Sequence, residues 1–476
     1  MRLFTRTRLV AVALAGGGCA LALGELLAPT ACSSASGGGG TGTLNPAGPP
    51  IVIGVPNEET GSLMGNRRAF NTAVQLAEQQ INASGGILGR QITFTVRDDT
   101  STAAEATSVS EGLIAGGALA LVGPGGSSLV AAVEPLAPKD SVVEVSASAT
   151  AVSLTSDQSN SSGWFFRTVP NDSLQGKAVA LFALNGPHPD AGSGQCHTMD
   201  VVHNTDAYGM PLAATLESVF KAAGGTVISD IGVNENAAGS YMTQVNQIVS
   251  MDKPDCLVLA VYAPVGDVFL QNLADAITAS PGTLPQGFFV IATDGCYDNT
   301  FITGGSASHD ASVDSWVNGS YPGAPPVYGT VAYTNNHQRK QYIDLLSLYV
   351  ADIGLPTGAS DMDPYTSTEY DAAVLIALAI QAAGSTSDPK AIQAAMFNVS
   401  HGKGSNAAPF GPAQLPEAIA TLRTGGDINY QGASGDVDFS PSGDVISDFL
   451  VWQVQGGAFA NYSSISDLAL GTDGGS

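Results

Sequence analysis

The sequence is poor in charged residues, and basic residues are the scarcest of these. Charged side chains occupy 12% of its 476 positions, and 17 basic residues stand against 42 acidic ones, which gives a formal net charge of −25 at pH 7. A chain this acidic repels phosphate backbones and anionic membrane surfaces, so we exclude nucleic acid as a partner. Apolar residues make up 44%, and the length suits two or three domains with sizeable cores.

The sequence also lacks the short motifs of common enzymes and metal sites. It contains no CxxC pair, no HExxH, no GxSxG and no Walker loop, and its six histidines show no metal-ligand spacing. Gly123 and Gly125 match the start of a dinucleotide fingerprint, but Ser128 stands where the last glycine belongs. We therefore expect neither an enzyme nor a metal or other cofactor.

Long hydrophobic runs are absent except at the N-terminus. Three arginines within the first eight positions precede an apolar stretch from Leu9 to Leu27, which is interrupted by Glu25. A basic start, an apolar stretch and small residues after it are typical of a secretory signal. We predict a signal peptide at 1–31 and a flexible, Gly- and Ser-rich tether at 32–49, and hence an exported protein.

The end of this signal resembles the acylation box of bacterial lipoproteins. Cys32 follows Thr30 and Ala31, although Pro29 stands where that box has an aliphatic residue. We predict lipid attachment at Cys32, so that a lipid anchor is the one contact with the membrane. The alternative is an ordinary secreted protein cut near Ala31.

Three cysteines remain once the signal and Cys32 are set aside. Cys196 and Cys256 each lie just before a predicted strand, whereas Cys296 follows one. Opposite ends of a sheet are too far apart for a disulfide. In an oxidising compartment we therefore predict that Cys196 pairs with Cys256 and that Cys296 stays free.

Strand and helix patterns alternate along most of the chain. Short apolar runs such as Ile51–Val55 alternate with helical patterns such as Arg67–Ala83, and the loops between them are short. The same pattern starts afresh after Pro170. Helical patterns return at 339–398 without new strands to pack on, and closing strands follow, among them 437–439. The alternation predicts an α/β fold with parallel sheets covered on both faces.

This order predicts two doubly wound parallel-sheet lobes joined by a three-crossing hinge. Residues 50–168 and about 330–432 form the first lobe, and 169–329 and about 433–465 form the second. Residues 466–476 are expected to be a flexible tail. Multiple crossings between two α/β lobes make a hinge with a cleft between them.

The stretch from Leu119 to Thr150 predicts a binding site. It contains a buried strand, a Gly-rich loop opening a helix, a second strand and a hydroxyl-rich loop. Both loops follow carboxyl ends of strands, where ligands bind in open α/β sheets. Gly125 and Gly126 allow close approach, and the following serines offer hydroxyl and N–H groups to an anion. The alternative is that these serines only cap the helix.

Seven segments match a known family in order and spacing. They are INASGGILGRQITFTVRDDT at 81–100, LVGPGGSS at 121–128, VSASAT at 145–150, FFRTVPND at 165–172, DAYG at 206–209, EYDAAVLIALAIQAAG at 369–384 and YQGASGDVDFSPSGD at 430–444. In these segments the chain resembles the leucine/isoleucine/valine-binding protein family, the type I periplasmic receptors of branched-chain amino acid ABC importers. The resemblance covers nearly everything after Pro50 and is weakest at 303–335.

The resemblance implies how an amino acid would be held. It assigns Ser127, Ser148, Ala149 and Thr150 to the ligand carboxylate, and Asp294, an aspartate where some relatives have a longer glutamate, to the ammonium. An α-amino acid is a zwitterion, so donors at one end and a carboxylate at the other fit it. The alternative for Asp294 is a turn cap before Gly295.

Aromatic and apolar residues complete the predicted site. By the same resemblance Tyr208 and Tyr262 form a cage, and Leu63 and Met64 are expected to supply an apolar wall. Ordinary packing is the alternative for all four. Glu58 and Glu59 could reach the cleft and favour cationic ligands, or could simply be solvated.

Taken together, the sequence predicts an extracytoplasmic solute receptor. It would capture an amino acid in the interlobe cleft by hinge closure and deliver it to an ABC permease in the membrane. We expect a monomer in the periplasm or on the outer face of a bacterial membrane. The alternatives are the ligand-binding component of a sensory system, or a receptor for an amide, urea or an aromatic acid.

Overall fold

The computed structural model describes residues 48–156, 163–187, 194–234, 240–303, 325–333, 337–352, 364–455 and 458–471. The predicted signal peptide, most of the tether and Cys32 lie outside this part. Among the described residues, no helix combines the length and the hydropathy that crossing a membrane requires.

Fourteen strands are present in the described part of the chain. They are β1 Ile51–Asn57, β2 Ile92–Asp98, β3 Ala120–Val122, β4 Val143–Ser146, β5 Phe165–Arg167, β6 Thr198–Asn204, β7 Thr226–Val233, β8 Cys256–Ala260, β9 Phe289–Ala292, β10 Val327–Ala332, β11 Ala408–Phe410, β12 Ile428–Tyr430, β13 Phe449–Gln455 and β14 Ala458–Ile465.

The strands alternate with helices. The α-helices are Arg67–Ala83, Ala103–Ala115, Ser127–Val133, Leu136–Asp140, Ser153–Ser156, Asp172–Asn185, Gly209–Ala222, Met242–Gln247, Ala263–Ala279, Asn299–Thr303, His337–Asp352, Pro364–Ala383, Pro389–His401 and Leu415–Arg423. Shorter 3₁₀ turns lie at Met64–Asn66, Asp294–Cys296, Pro412–Gln414 and Asp467–Leu470, and a π turn lies at Ile248–Asp252.

The first sheet has the order β2-β1-β3-β4-β5, and all its pairs are parallel. Its strands are buried on both faces because helices cover both sides. In β3, Ala120 and Val122 lie in the core beneath helices Arg67–Ala83 and Pro364–Ala383, while Leu121 lies in the opposite core with Leu113. The alternation of side chains along a strand thus divides this lobe into two apolar layers.

The second sheet has the order β14-β13-β10-β9-β8-β6-β7, with parallel pairs from β7 to β10 and antiparallel pairs at β13 and β14. Here too the two faces pack into separate cores, one holding Leu257 and the other Val258. Cys196 and Cys256 form a disulfide with Cα atoms 5.6 Å apart, the pair predicted from the sequence. Cys296 is a buried free thiol.

The chain passes between the lobes three times. After β5 it enters helix Asp172–Asn185, which packs on the second sheet. After β10 it reaches helix His337–Asp352, whose Tyr342 lies in the core of the first lobe. The third passage lies between Val445, in that core, and Phe449 of β13. The predicted two-lobed parallel α/β architecture with a three-crossing hinge is confirmed.

Three local features differ from the sequence-based expectation. β10 lies between β9 and β13, although no strand was predicted at its position. Residues 437–439 form no strand; Val437 and Phe439 pack in the core of the first lobe instead. The expected flexible tail begins as a 3₁₀ turn whose Leu470 is 4% exposed and packs near Leu174. Long-range packing, which local patterns do not encode, decides all three.

Candidate functional site

A cleft lies where loops from the carboxyl ends of both sheets meet. Its empty space is about 540 Å³, part of it open to solvent. The described residues that line it are Glu58, Ser62, Leu63, Phe70, Gly125, Gly126, Ser127, Ser148, Tyr208, Tyr262, Ala263, Pro264, Asp294, Gly295, Asp298 and Tyr365.

Strand ends position the polar lining residues. In the first lobe, Glu58 follows β1, Gly125 follows β3 and Ser148 follows β4. In the second lobe, Tyr262 follows β8 and Asp294 follows β9. Because parallel strands end at the same edge, each sheet presents its loops to the cleft, as expected for an open α/β sheet.

Most of the residues predicted to bind the ligand line this cleft. They are Leu63, Ser127, Ser148, Tyr208, Tyr262 and Asp294. Among the described residues, the lining does not include Met64, Ala149 or Thr150.

Met64, Ala149 and Thr150 are placed otherwise. Met64 is 41% exposed on a 3₁₀ turn. Ala149 and Thr150 are buried. The N–H of Ala149 donates to Ser146 Oγ at 3.2 Å, and the carbonyl of Thr150 accepts from the N–H of Asp172 at 2.8 Å. These two residues therefore shape the loop that carries Ser148.

The carboxylate of Glu58 lies on the Gly-rich loop. Its Oε1 accepts the N–H groups of Gly125 at 2.7 Å and Gly126 at 3.0 Å. A Cβ on Gly125 would lie 2.8 Å from both Glu58 Oε1 and Ser148 Oγ, so this close approach requires glycine. The two glycine N–H groups are thus bonded to a side chain of the protein, whereas the donors that the sequence offered to a ligand anion were those of the serines that follow.

Glu58 is held in place by its own loop. The N–H and hydroxyl of Thr60 donate to the carboxylate of Asp98 at 3.1 and 2.8 Å, and the N–H of Leu63 donates to Ser101 Oγ at 3.1 Å. Glu59, by contrast, accepts from Asn71 Nδ2 at 2.5 Å and is not among the described lining residues. Only one of the two adjacent glutamates therefore reaches the cleft.

Glu58 is 1% exposed, and its Oε2 is buried with no hydrogen-bond partner among the described residues. Burial raises the pKa of Glu58, although backbone hydrogen bonds oppose the shift. Two further buried acids, Asp99 and Glu369, lie close enough to Glu58 to be affected by its charge. Burial, followed by the charge of Glu58, raises the pKa of Asp99 to about 8 and that of Glu369 well above its usual value.

Asp294 forms the corresponding acidic point in the second lobe. Its Oδ1 accepts from the Tyr208 hydroxyl at 2.6 Å and from the Gly295 N–H at 3.0 Å, and its Oδ2 accepts from the Tyr365 hydroxyl at 3.2 Å. Burial raises the pKa of Asp294, whereas the hydrogen bonds from both tyrosines lower it. Tyr208 also stacks on Tyr262, with ring centroids 5.0 Å apart.

Contacts across the cleft join the two lobes. Tyr365 belongs to helix Pro364–Ala383 of the first lobe, where its ring meets the edge of Phe70 with centroids 6.4 Å apart, yet its hydroxyl donates to Asp294 of the second lobe. Gly65 of the first lobe lies so close to the carboxylate of Asp298 that an added Cβ would overlap it. The structure therefore has the lobes in direct contact over the cleft.

Sequence reasoning missed several lining residues. Phe70 lies on the apolar face of its helix and has the pattern of a core residue. Tyr365 and Asp298 belong to no motif, and only the fold brings them to the cleft. Asp172, which is not part of the lining, is a buried acid near Asp294, and burial followed by the charge of Asp294 raises its pKa well above the usual value. The one signal for Asp172 in the sequence is its position, because it begins the helix that follows the first passage between the lobes.

Comparison with known proteins agrees with this architecture. A family model described as periplasmic binding protein matches residues 50–458. The chain therefore belongs to the periplasmic binding protein family, a family of solute-binding proteins and not of enzymes. The resemblance to leucine/isoleucine/valine-binding proteins is confirmed.

Individual relatives and structures are distant in sequence. The chemotactic signal transduction system substrate-binding protein BasB of Halobacterium salinarum is 26% identical over 416 residues, which cover 86% of this chain and 88% of that protein. The crystal structure of the leucine-binding protein LivK of Thermotoga maritima has a TM-score of 0.66 at 19% identity and covers 87% of this chain and 99% of its own. A solute-binding protein of an ABC transporter from Rhodopseudomonas palustris, in complex with 3,4-dihydroxybenzoic acid, has a TM-score of 0.63 at 16% identity and covers 88% and 97%.

Proposed function

We propose that this protein is an extracytoplasmic receptor that closes its two lobes over a small solute bearing a positively charged nitrogen, and delivers the solute to an ABC permease. The observation that carries the proposal is Asp294, a buried carboxylate at the cleft that accepts from the hydroxyls of Tyr208 and Tyr365, with Tyr262 stacked on Tyr208. An amino acid, the ligand predicted from the sequence, meets this requirement through its ammonium group.

The chemistry of the lining supports a cation. Three of the described lining residues are acids, namely Glu58, Asp294 and Asp298. The described lining contains no Lys, Arg or His. A positive nitrogen gains a charge-assisted hydrogen bond from a carboxylate and further attraction from aromatic faces. Ser127 and Ser148 offer hydroxyls to the remainder of the solute.

The proposed mechanism is hinge closure. A solute shifts the equilibrium toward the closed form only through contacts that the closed form alone provides. Asp294 and Tyr262 belong to the second lobe, while Ser127, Ser148 and Phe70 belong to the first. A solute that contacts both groups stabilises closure, and the closed form then docks on the permease.

Sensing is a second candidate, because BasB, which matches most of this chain, is named as part of a chemotactic signalling system. Neighbouring genes for a permease and an ATPase would argue for import, and a kinase or chemoreceptor gene for sensing.

An aromatic acid is disfavoured because a ligand carboxylate would meet the acids of the lining, whereas an amide or urea could donate N–H groups to Asp294.

We propose in addition that Cys32 carries a lipid and that the receptor is a monomer. Growth with labelled palmitate would mark the wild-type chain and leave Cys32→Ser unlabelled. Light scattering of the purified protein would give the mass of one chain. Label on Cys32→Ser, or a mass of two chains, would contradict these proposals.

The main test is a ligand screen by thermal shift, followed by titration calorimetry. The protein, purified without its signal peptide, is unfolded and refolded to strip any carried solute, and is offered the amino acids, simple amines, amides, urea and aromatic acids. A ligand of the folded form raises the melting temperature by mass action. Asp294→Asn keeps a carbonyl acceptor but loses the charge, and should weaken binding about 10- to 100-fold.

Asp344→Asn is the matched control, because Asp344 is an exposed acid on helix His337–Asp352. It should bind like wild type. Stabilisation by anionic aromatic acids alone, or unchanged affinity in Asp294→Asn, would contradict the proposal.

A further inference from the structure

Glu58 uses the two N–H groups of the Gly-rich loop, donors that a carboxylate of the solute could otherwise use. Its Oε1 accepts from the N–H groups of Gly125 and Gly126 at 2.7 and 3.0 Å. Hydrogen bonds from N–H groups to a carboxylate are among the stronger ones in proteins. A ligand carboxylate could use these donors only by displacing Glu58, and would then lie beside a second buried negative charge.

The other side-chain donors at this loop are neutral hydroxyls. Ser127 and Ser148 line the cleft, and Ser127 Oγ, which accepts the N–H of Ala151 at 3.2 Å, keeps its own O–H to donate. The N–H of Ala149 is bonded to Ser146. No described lining residue carries a positive charge. A free carboxylate on the solute therefore has no cationic partner in the described cleft, and its desolvation would be poorly compensated.

Glu58 itself offers an acceptor that lacks a donor. Its Oε2 is buried, without a hydrogen-bond partner among the described residues, in a side chain that is 1% exposed and lines the cleft. An unpaired buried acceptor is costly, so a donor from the solute would be favourable. A positively charged nitrogen provides that donor and also balances the charge of the carboxylate.

The acids are divided between the lobes. Glu58 lies in the first lobe, and Asp294 and Asp298 lie in the second. Aromatic rings line the same cleft, among them Phe70 from the first lobe and Tyr262 from the second. A solute with a positive nitrogen for each lobe would draw the lobes together, because it contacts acids that only the closed form brings near each other.

From this arrangement we propose that the cleft selects an organic amine that has no free carboxylate, with Glu58 and Asp294 as its two acidic contacts. The inference rests on the proposed function and names the ligand class of the same site. A linear diamine satisfies both acids, a monoamine satisfies one, and an amino acid competes with Glu58 for the loop donors.

The test uses amines matched to amino acids that differ only by the carboxylate. The pairs are 1,5-diaminopentane with lysine and 3-methylbutylamine with leucine, titrated by calorimetry into the stripped wild-type protein. We expect each amine to bind at least 10-fold more tightly than its amino acid, and the diamine most tightly. Tighter binding of leucine or lysine than of its amine would overturn the inference while leaving the proposed receptor function intact.

Two variants of Glu58 are expected to change binding in opposite directions, one weakening amine binding and the other strengthening leucine binding. Glu58→Gln keeps a carbonyl oxygen for the N–H groups of Gly125 and Gly126 but removes the charge, and should weaken amine binding about 10- to 100-fold. Glu58→Ala frees both N–H groups, and should create or strengthen leucine binding. A gain of binding cannot result from misfolding, so this variant stays informative even if it is less stable.

The outcomes separate the two proposals. Amine binding that Asp294→Asn and Glu58→Gln both weaken supports the inference. Amino acid binding by the wild type that Glu58→Ala leaves unchanged refutes it and retains the receptor. Failure of both amines and amino acids to bind refutes the cationic ligand itself, and with it both proposals.

Discussion

The hydrogen bond from Tyr365 to Asp294 predicts how strongly the lobes are held closed. The hydroxyl of Tyr365, in the first lobe, lies 3.2 Å from Oδ2 of Asp294, in the second. Hydrogen bonds to charged groups contribute about 1.5–3 kcal/mol. Because 3.2 Å is long for a hydroxyl donor, we take the lower value, about 1.5 kcal/mol, which is about a 10-fold change in an equilibrium constant.

Tyr365→Phe removes this hydrogen bond and keeps the ring that meets Phe70. We expect the population of the closed form to fall about 10-fold relative to the open form, and ligand affinity to fall by a similar factor because closure is coupled to binding. Tyr208→Phe is the matched comparison. It also removes one phenol from Asp294, at 2.6 Å, but from within the same lobe.

Lobe separation can be measured by fluorescence energy transfer between labels on cysteines at Lys139 and Met251. Both side chains are exposed, one in each lobe, and Cys296 is buried. Without ligand, Tyr365→Phe should shift the distances toward the open form, whereas Tyr208→Phe should weaken binding with no direct effect on unliganded closure. Equal distance distributions in wild type and Tyr365→Phe, with affinity within twofold, would refute the reasoning.

Three further predictions concern stability. Replacing Cys196 and Cys256 by alanine should lower the free energy of unfolding by about 4 kcal/mol in urea titrations, because the disulfide spans 60 residues of chain. A urea midpoint equal to that of the wild type would contradict this prediction. Burial, and then the charge of Asp252, raises the pKa of Asp200 to about 7. The folded form therefore holds a proton that the unfolded chain has released, so the melting temperature should fall as pH rises from about 4 to 7, and less steeply in Asp200→Asn. Leu470→Ala should cost about 2 kcal/mol in urea titrations, while Leu348→Ala, at a side chain that is 68% exposed, should cost little; equal effects would mean that Leu470 contributes no packing.

The sequence alone was sufficient for the architecture. Alternation of strand and helix patterns, repeated after Pro170, predicts two parallel sheets, and helix Arg67–Ala83 begins and ends where its pattern does. These features are local, because the apolar period and the loop glycines act over a few residues. β10 escaped prediction since its burial depends on β9 and β13, which are distant in sequence.

The sequence also determined which loops form the site, because strand order in a parallel sheet places carboxyl ends together. It could not decide how the side chains of those loops pair. Glu58 and Asp294 both follow strands, yet only the tertiary structure puts Glu58 on the N–H groups of Gly125 and Gly126 and brings Tyr365 across to Asp294. Such pairings join residues 67 to 71 positions apart, and their geometry follows from how whole lobes pack, which no local pattern records.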